Sequence, residues 1–122
     1  MTGDVVIKRF EDPDELRRFE LGTFALVEAA GVQIGRARYD PGWVWSRDVG
    51  GAEGEAYCDV EHVGLVLSGT TGVRMRDGSE FELTPGDVFY VKPGHDSWVI
   101  GDEPYVSLHL LGADRYAAHD RS

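Results

Sequence analysis

Basic side chains are in short supply: 12 lysines and arginines stand against 22 aspartates and glutamates, a formal net charge of −10. Nucleic acid is excluded on that ground, because its phosphates ask for a basic face. An anionic membrane surface is excluded for the same reason. Long apolar runs are also missing, and nothing approaches the roughly 20 residues of a membrane-crossing helix. The first residues, Met1-Thr2-Gly3-Asp4, lack a basic stretch followed by an apolar one, which predicts no signal peptide. A single cysteine, Cys58, rules out an internal disulfide and fits a reducing, cytoplasmic setting. There is no Gly-x-Ser-x-Gly elbow, no phosphate-binding loop and no dinucleotide fingerprint, so a hydrolase of the triad kind is not expected.

Glycine is what the chain has in plenty. Sixteen glycines in 122 residues mean many tight turns and many short strands. At 42% hydrophobic and 11% aromatic, the chain can bury a core. Its length predicts one domain spanning 1–122. Within it, residues 1–20 form an N-terminal segment with a short helix, 21–112 form the body, and 113–122 a polar tail. The helix is read from Asp12 to Phe19. Asp12 can cap it, Pro13 suits its first position, and acids precede bases as the helix dipole prefers.

Beyond that the period is two. Strands are expected at Thr23–Glu28 and Val32–Tyr39, with Ala30-Gly31 turning between them. Trp43-Val44-Trp45 reads as a strand with both indoles on one face. A glycine-bearing loop follows from Ser46 to about Ala56, with Arg47 and Asp48 read as solvated. A strand from Tyr57 to Leu67 ends at Ser68-Gly69. Val73 and Met75 alternate with Arg74 and Arg76, a half-buried strand. Asp77-Gly78 is the strongest hairpin signal, and Phe81 and Leu83 continue the inner face on the return. Further strands are expected at Val88–Val91, Ser97–Ile100 and Tyr105–Leu111. About nine or ten short strands make an all-β sandwich or barrel.

Two stretches carry a family likeness. His62-Val-Gly-Leu-Val-Leu-Ser-Gly69 resembles the end of the first cupin motif, and Pro85-Gly86-Asp87-Val-Phe-Tyr-Val-Lys-Pro93-Gly94-His95-Asp-Ser-Trp98 resembles the second. The resemblance covers about residues 32 to 111. It implies a cupin-type jelly-roll β-barrel, often a homodimer, frequently with a metal inside the barrel mouth. The family's usual ligands are absent as a set. Its glutamate position holds His62, its His-x-His positions hold Ala56 and Cys58, and its late histidine position holds Ser97, with His95 two residues earlier.

A replacement set follows from strand parity. Cys58 and His62 are four apart, so an unbroken strand puts them on one face together with Gly64, which leaves space. His95 and Ser97 share a face by the same rule, and in the resembling fold the Ser97 face looks inward. A thiolate and two imidazoles suit one divalent transition metal: zinc, iron, nickel or copper. Three protein ligands leave a position open for water or substrate. The alternative is a buried cysteine filler beside two hydrogen-bonded histidines. His109, alternating with Leu108 and Leu110, is read as lying outside, and His119 as solvent-facing in the tail.

Trp43, Trp45 and Trp98, with Tyr57, Tyr90 and Ser97, are the candidate walls of a small-molecule pocket. Three functions stay open on these residues. One is a metal-dependent oxidoreductase of dioxygenase type, or an isomerase. The second is a non-enzymatic small-molecule-binding or sensing module without metal. The third is a metal-free isomerase using His62 as acid and base. The apolar set Val63, Leu65 and Leu67 on the far face motivates the homodimer.

Overall fold

The computed structural model describes residues 4–51 and 54–113. The polar tail 114–122, including His119, lies outside the described residues, as do residues 52–53 of the loop. Nine strands and one short helix are described. They are β1 (Glu15–Phe19), β2 (Gly22–Ala29), β3 (Val32–Tyr39), α1 (Trp45–Asp48), β4 (His62–Ser68), β5 (Thr70–Met75), β6 (Glu80–Leu83), β7 (Val88–Val91), β8 (His95–Ile100) and β9 (Tyr105–Leu111). All pairings are antiparallel. One sheet runs β1-β2-β3-β9-β4-β7 and the other β6-β5-β8. Their inner faces enclose a core built on Phe24, Ala37, Tyr39, Trp43, Val66 and Tyr105. Among the described residues no helix is long and apolar enough to cross a membrane.

The expected N-terminal helix at Asp12–Phe19 is instead an extended edge. Its second half is β1, laddered on β2 from Glu15↔Leu26 to Phe19↔Gly22. Two helical turns alone are marginal in water, whereas extension lets Phe19 reach Tyr39 and Trp43, at ring distances of 6.0 and 6.4 Å. The acid expected to help start a helix is used elsewhere. Asp14 accepts the Glu28 amide and the Lys8 ammonium, tying the N-terminal segment to β2.

The expected strand from Tyr57 is also shorter, because its two ends belong to different sheets. Cys58 pairs as an isolated bridge with His95 of the three-stranded sheet. His62 pairs with Val91 of the six-stranded sheet. One strand cannot ladder with both, so residues 59–61 cross between the layers. The Trp43–Trp45 strand is likewise broken. Val44 bridges to Trp98, and Trp45 opens α1. Asp48 is not solvated: its side chain is 2% exposed and accepts the Val44 amide at 2.9 Å.

Candidate metal centre

Three elements bring the site together. Cys58 is clamped to the start of β8, its amide donating to the His95 carbonyl at 2.7 Å and its carbonyl accepting from Gly94 at 2.8 Å. His62 opens β4 and His95 opens β8, one from each sheet. All three side chains are buried. One ligand atom from each lies within 4.8 Å of the others. Cys58 Sγ stands 3.7 Å from His62 Nε2. The His62 and His95 rings meet edge to face at 5.1 Å. Convergence therefore comes from the crossing at 59–61, not from the parity of an unbroken strand.

The donor set fits an ion. Around a tetrahedral zinc, with Zn–S about 2.3 Å and Zn–N about 2.0–2.1 Å, sulfur and nitrogen stand about 3.6 Å apart. The observed 3.7 Å matches. His95 Nδ1 lies 2.7 Å from the Lys92 carbonyl oxygen. That oxygen can only accept, so Nδ1 carries the proton and Nε2 is left as the ligating nitrogen. Burial pushes the His62 pKa well below its usual 6.5, with the neighbouring His109 and His95 acting in the same direction. Burial also lowers His95, against a partial offset from the Lys92 hydrogen bond and two nearby aspartates. Both rings are thus kept neutral at pH 7, the form that ligates a metal.

His109 lies inside, contrary to the reading from its leucine neighbours. It shares the inner face of β9 with Tyr105 and Ser107, while Leu108 and Leu110 are turned outward. Its Nε2 stands 3.1 Å from Ser107 Oγ, and its ring backs onto His62 at 5.0 Å. Burial drops its pKa to about 4. The Tyr105 hydroxyl bonds with Ser107 and Thr71, continuing a polar chain away from the site. The deciding signal is the small, polar Ser107 two residues before it, which shares its parity. A small polar residue on the same parity marks a face that must leave room, and the apolar residues between them mark only what covers the outside.

The expected pocket walls divide. Trp45 and Ser97 line a small inner cavity with His62, His95 and His109. Its volume is about 40 Å³. Trp43 is a fully buried wedge, stacked on Tyr39 at 3.7 Å and 4°, and does not line the cavity. Trp98 lies on the outer face, over Gly72 and under the Arg74 guanidinium. Tyr57 is half-buried beneath Arg76, and Tyr90 is exposed with its hydroxyl donating to Glu61. The space expected at Gly64 is taken up: a Cβ there would meet the Leu108 carbonyl at 2.2 Å and the Phe89 ring at 2.7 Å.

Solved structures share this architecture. One is a protein of unknown function (DUF1255) from Acidithiobacillus ferrooxidans, 20% identical, with a TM-score of 0.57 over 80% of this chain and 86% of that one. A second is a cupin superfamily protein from Desulfitobacterium hafniense, 18% identical, with a TM-score of 0.52 over 77% and 81%. This chain has the cupin fold. A third, a Klebsiella pneumoniae protein with a double-stranded β-helix domain, is 16% identical, with a TM-score of 0.54 over 79% and 75%. No family profile matches the sequence, nor does any curated protein. Identities this low carry the cupin architecture alone, so the chemistry rests on the residues of this barrel.

Proposed function

We propose that this cupin binds one divalent transition metal through Cys58 Sγ and a ring nitrogen of each of His62 and His95, and transforms a small organic molecule there by oxidation or isomerisation. The observation that carries the reading is the meeting of a thiol and two neutral imidazoles within 4.8 Å inside the barrel. A bound ion supplies a Lewis acid with an open coordination position. Sulfur and nitrogen donors suit zinc, iron, nickel or copper. The chain's own residues set the rest. The Lys92 carbonyl fixes the His95 tautomer. His109 backs the His62 ring. Val73, Phe89 and Val91 give the cavity an apolar wall.

Elemental analysis of untagged protein tests this, on the parent chain and on Cys58→Ala and His62→Ala. The expected result is near-stoichiometric metal in the parent and its loss in both variants. No metal in protein grown with iron, zinc, nickel and copper supplied overturns the reading. A small molecule then found by native mass spectrometry, without turnover, turns it toward non-enzymatic sensing.

We also propose a homodimer through the outer face of the six-stranded sheet. There Val63, Leu65 and Leu67 of β4 lie between Leu108 and Leu110 of β9 and Val88 of β7. Leu67, Val88 and Leu110 are exposed, and a contiguous apolar face of this kind marks an association surface. Light scattering should give twice the 13.5 kDa of one chain. A species of 13.5 kDa at all concentrations ends this part.

A further inference from the structure

The inner cavity is too small for an organic substrate. About 40 Å³ holds one to three water-sized groups at most, whereas ligand sites in proteins run to about 300–1,000 Å³. A second space of suitable size adjoins it. A groove of about 610 Å³ lies between β6 and β7, floored by Val73, Met75, Phe81, Leu83, Phe89 and Val91. Four of these, Val73, Leu83, Phe89 and Val91, also line the cavity that holds His62 and His95. Cavity and groove are thus two sides of one layer of side chains.

The groove exists because the barrel is open along this seam. β6 pairs only with β5, and β7 only with β4. The two strands are joined by the turn at Thr84–Asp87, yet no ladder links them. Phe81 records the consequence. It stands opposite Val73 in register and so shares the inner face, but it is 58% exposed because nothing pairs beyond β6. In the layer between the two spaces Val73 and Phe89 are buried, while Leu83 and Val91 are only half-buried. The charged rim carries Asp77, Glu82 and Asp87 against a single Lys92. That rim lowers the local concentration of anions and raises that of cations.

We propose that the groove between β6 and β7 binds an apolar molecule without an anionic group, and that this molecule reaches His62 and His95 sideways through the barrel wall, past Leu83 and Val91. The inference deepens the metal-site reading, giving that site its substrate class and approach. Leu83 is a specificity-determining residue in this arrangement, since its side chain sets the width of the opening.

Cys58 supplies the test, as the chain's one cysteine, 3.7 Å from a cavity-lining imidazole. The full-length chain is treated with a chelator. It is then modified with thiosulfonate reagents that differ only in carrying a neutral, cationic or anionic end. Rates are read by intact-mass spectrometry. Leu83→Trp should slow the neutral reagent about tenfold, equivalent to about 1.4 kcal/mol of barrier. The anionic reagent should lag the neutral one by a similar factor. Arg76→Ala opens the other route, where Arg76 covers Tyr57 and pairs with Asp59, and should leave the rates within about twofold. Rates unmoved by Leu83→Trp, or raised by Arg76→Ala, overturn the proposed route. An anionic reagent that reacts fastest overturns the substrate class. Should Leu83→Trp fail to fold by circular dichroism, Phe81→Trp narrows the groove from an exposed position and is held to the same outcomes. No metal takes part, so the groove and the metal site stand or fall separately.

Discussion

The barrel has two seams between its sheets, and they are closed differently. Along β8 the chain from Trp43 to Cys58 stitches the layers together. Val44 bridges Trp98, Cys58 bridges His95, and the Val99 amide donates to the Trp43 carbonyl at 3.0 Å. Asp96 adds a side-chain tie, accepting from both the amide and the hydroxyl of Ser46 at 2.9 Å. Trp43 and Trp45 are buried beneath these ties. Between β6 and β7 there is no ladder, and an apolar residue as large as Phe81 is left mostly in water. The stitched seam holds two of the three metal-ligand candidates, Cys58 and His95. The open seam holds none and offers the way in. Ligating atoms need backbone held on several sides, and a path for a substrate needs a wall with few fixed contacts. One barrel meets both demands by stitching one side and leaving the other unpaired.

The widest separation between the seams is expected from truncating one aromatic at each. Trp43→Ala removes a fully buried indole stacked on Tyr39 and next to Phe19. Losing that area and leaving a cavity should cost about 3–5 kcal/mol. Phe81→Ala, at a position 58% exposed, should fall within about 0.5 kcal/mol of the parent. Urea denaturation with an unchanged m-value reads both. Comparable losses at the two positions would show that the β6–β7 seam is packed as firmly as the β8 seam, and the contrast would fail.

Sequence periodicity gives most strands, including Val88–Val91 and Tyr105–Leu111, whose partners are distant in the chain. Val32–Tyr39 is as expected to the residue, and Ala30-Gly31 turns with both residues at positive φ, 53° and 82°. Val73 and Met75 point inward between exposed arginines, as alternation requires. What local pattern does not contain is the choice of sheet. The Asp12–Phe19 stretch has helix-starting residues, but the bare edge of β2 and the Tyr39–Trp43 stack outweigh two turns of helix. Residue type singles out Cys58 and His62, and the structure brings them together by a geometry other than strand parity. Four residues can join one face of a strand, or carry the chain from one sheet to the other, and only the partners His95 and Val91 decide between these. Trp98 shows the same limit. Indoles resemble pocket walls in sequence, yet β8 turns Trp98 outward to cover Gly72.

The second contrast is in pH, because the histidines are buried in and behind the stitched side while the groove contains none. His109 has its pKa lowered from 6.5 to about 4 by burial. Above pH 6.5 neither the folded nor the unfolded chain protonates it, and it leaves stability unchanged. Between 6.5 and about 4 the unfolded chain takes up a proton that the folded chain refuses, so stability falls with pH. The loss at the lower limit is about 3 kcal/mol from this residue. His62 and His95, shifted in the same direction, add to it. Urea midpoints of the metal-free chain should therefore decline steadily through this window, and His109→Leu should make the decline shallower. With zinc bound the decline should steepen, since protonating His62 or His95 then also releases the ion. A midpoint that stays level from pH 6.5 to 5 would mean that water reaches these rings, and the stitched side would be no drier than the open one.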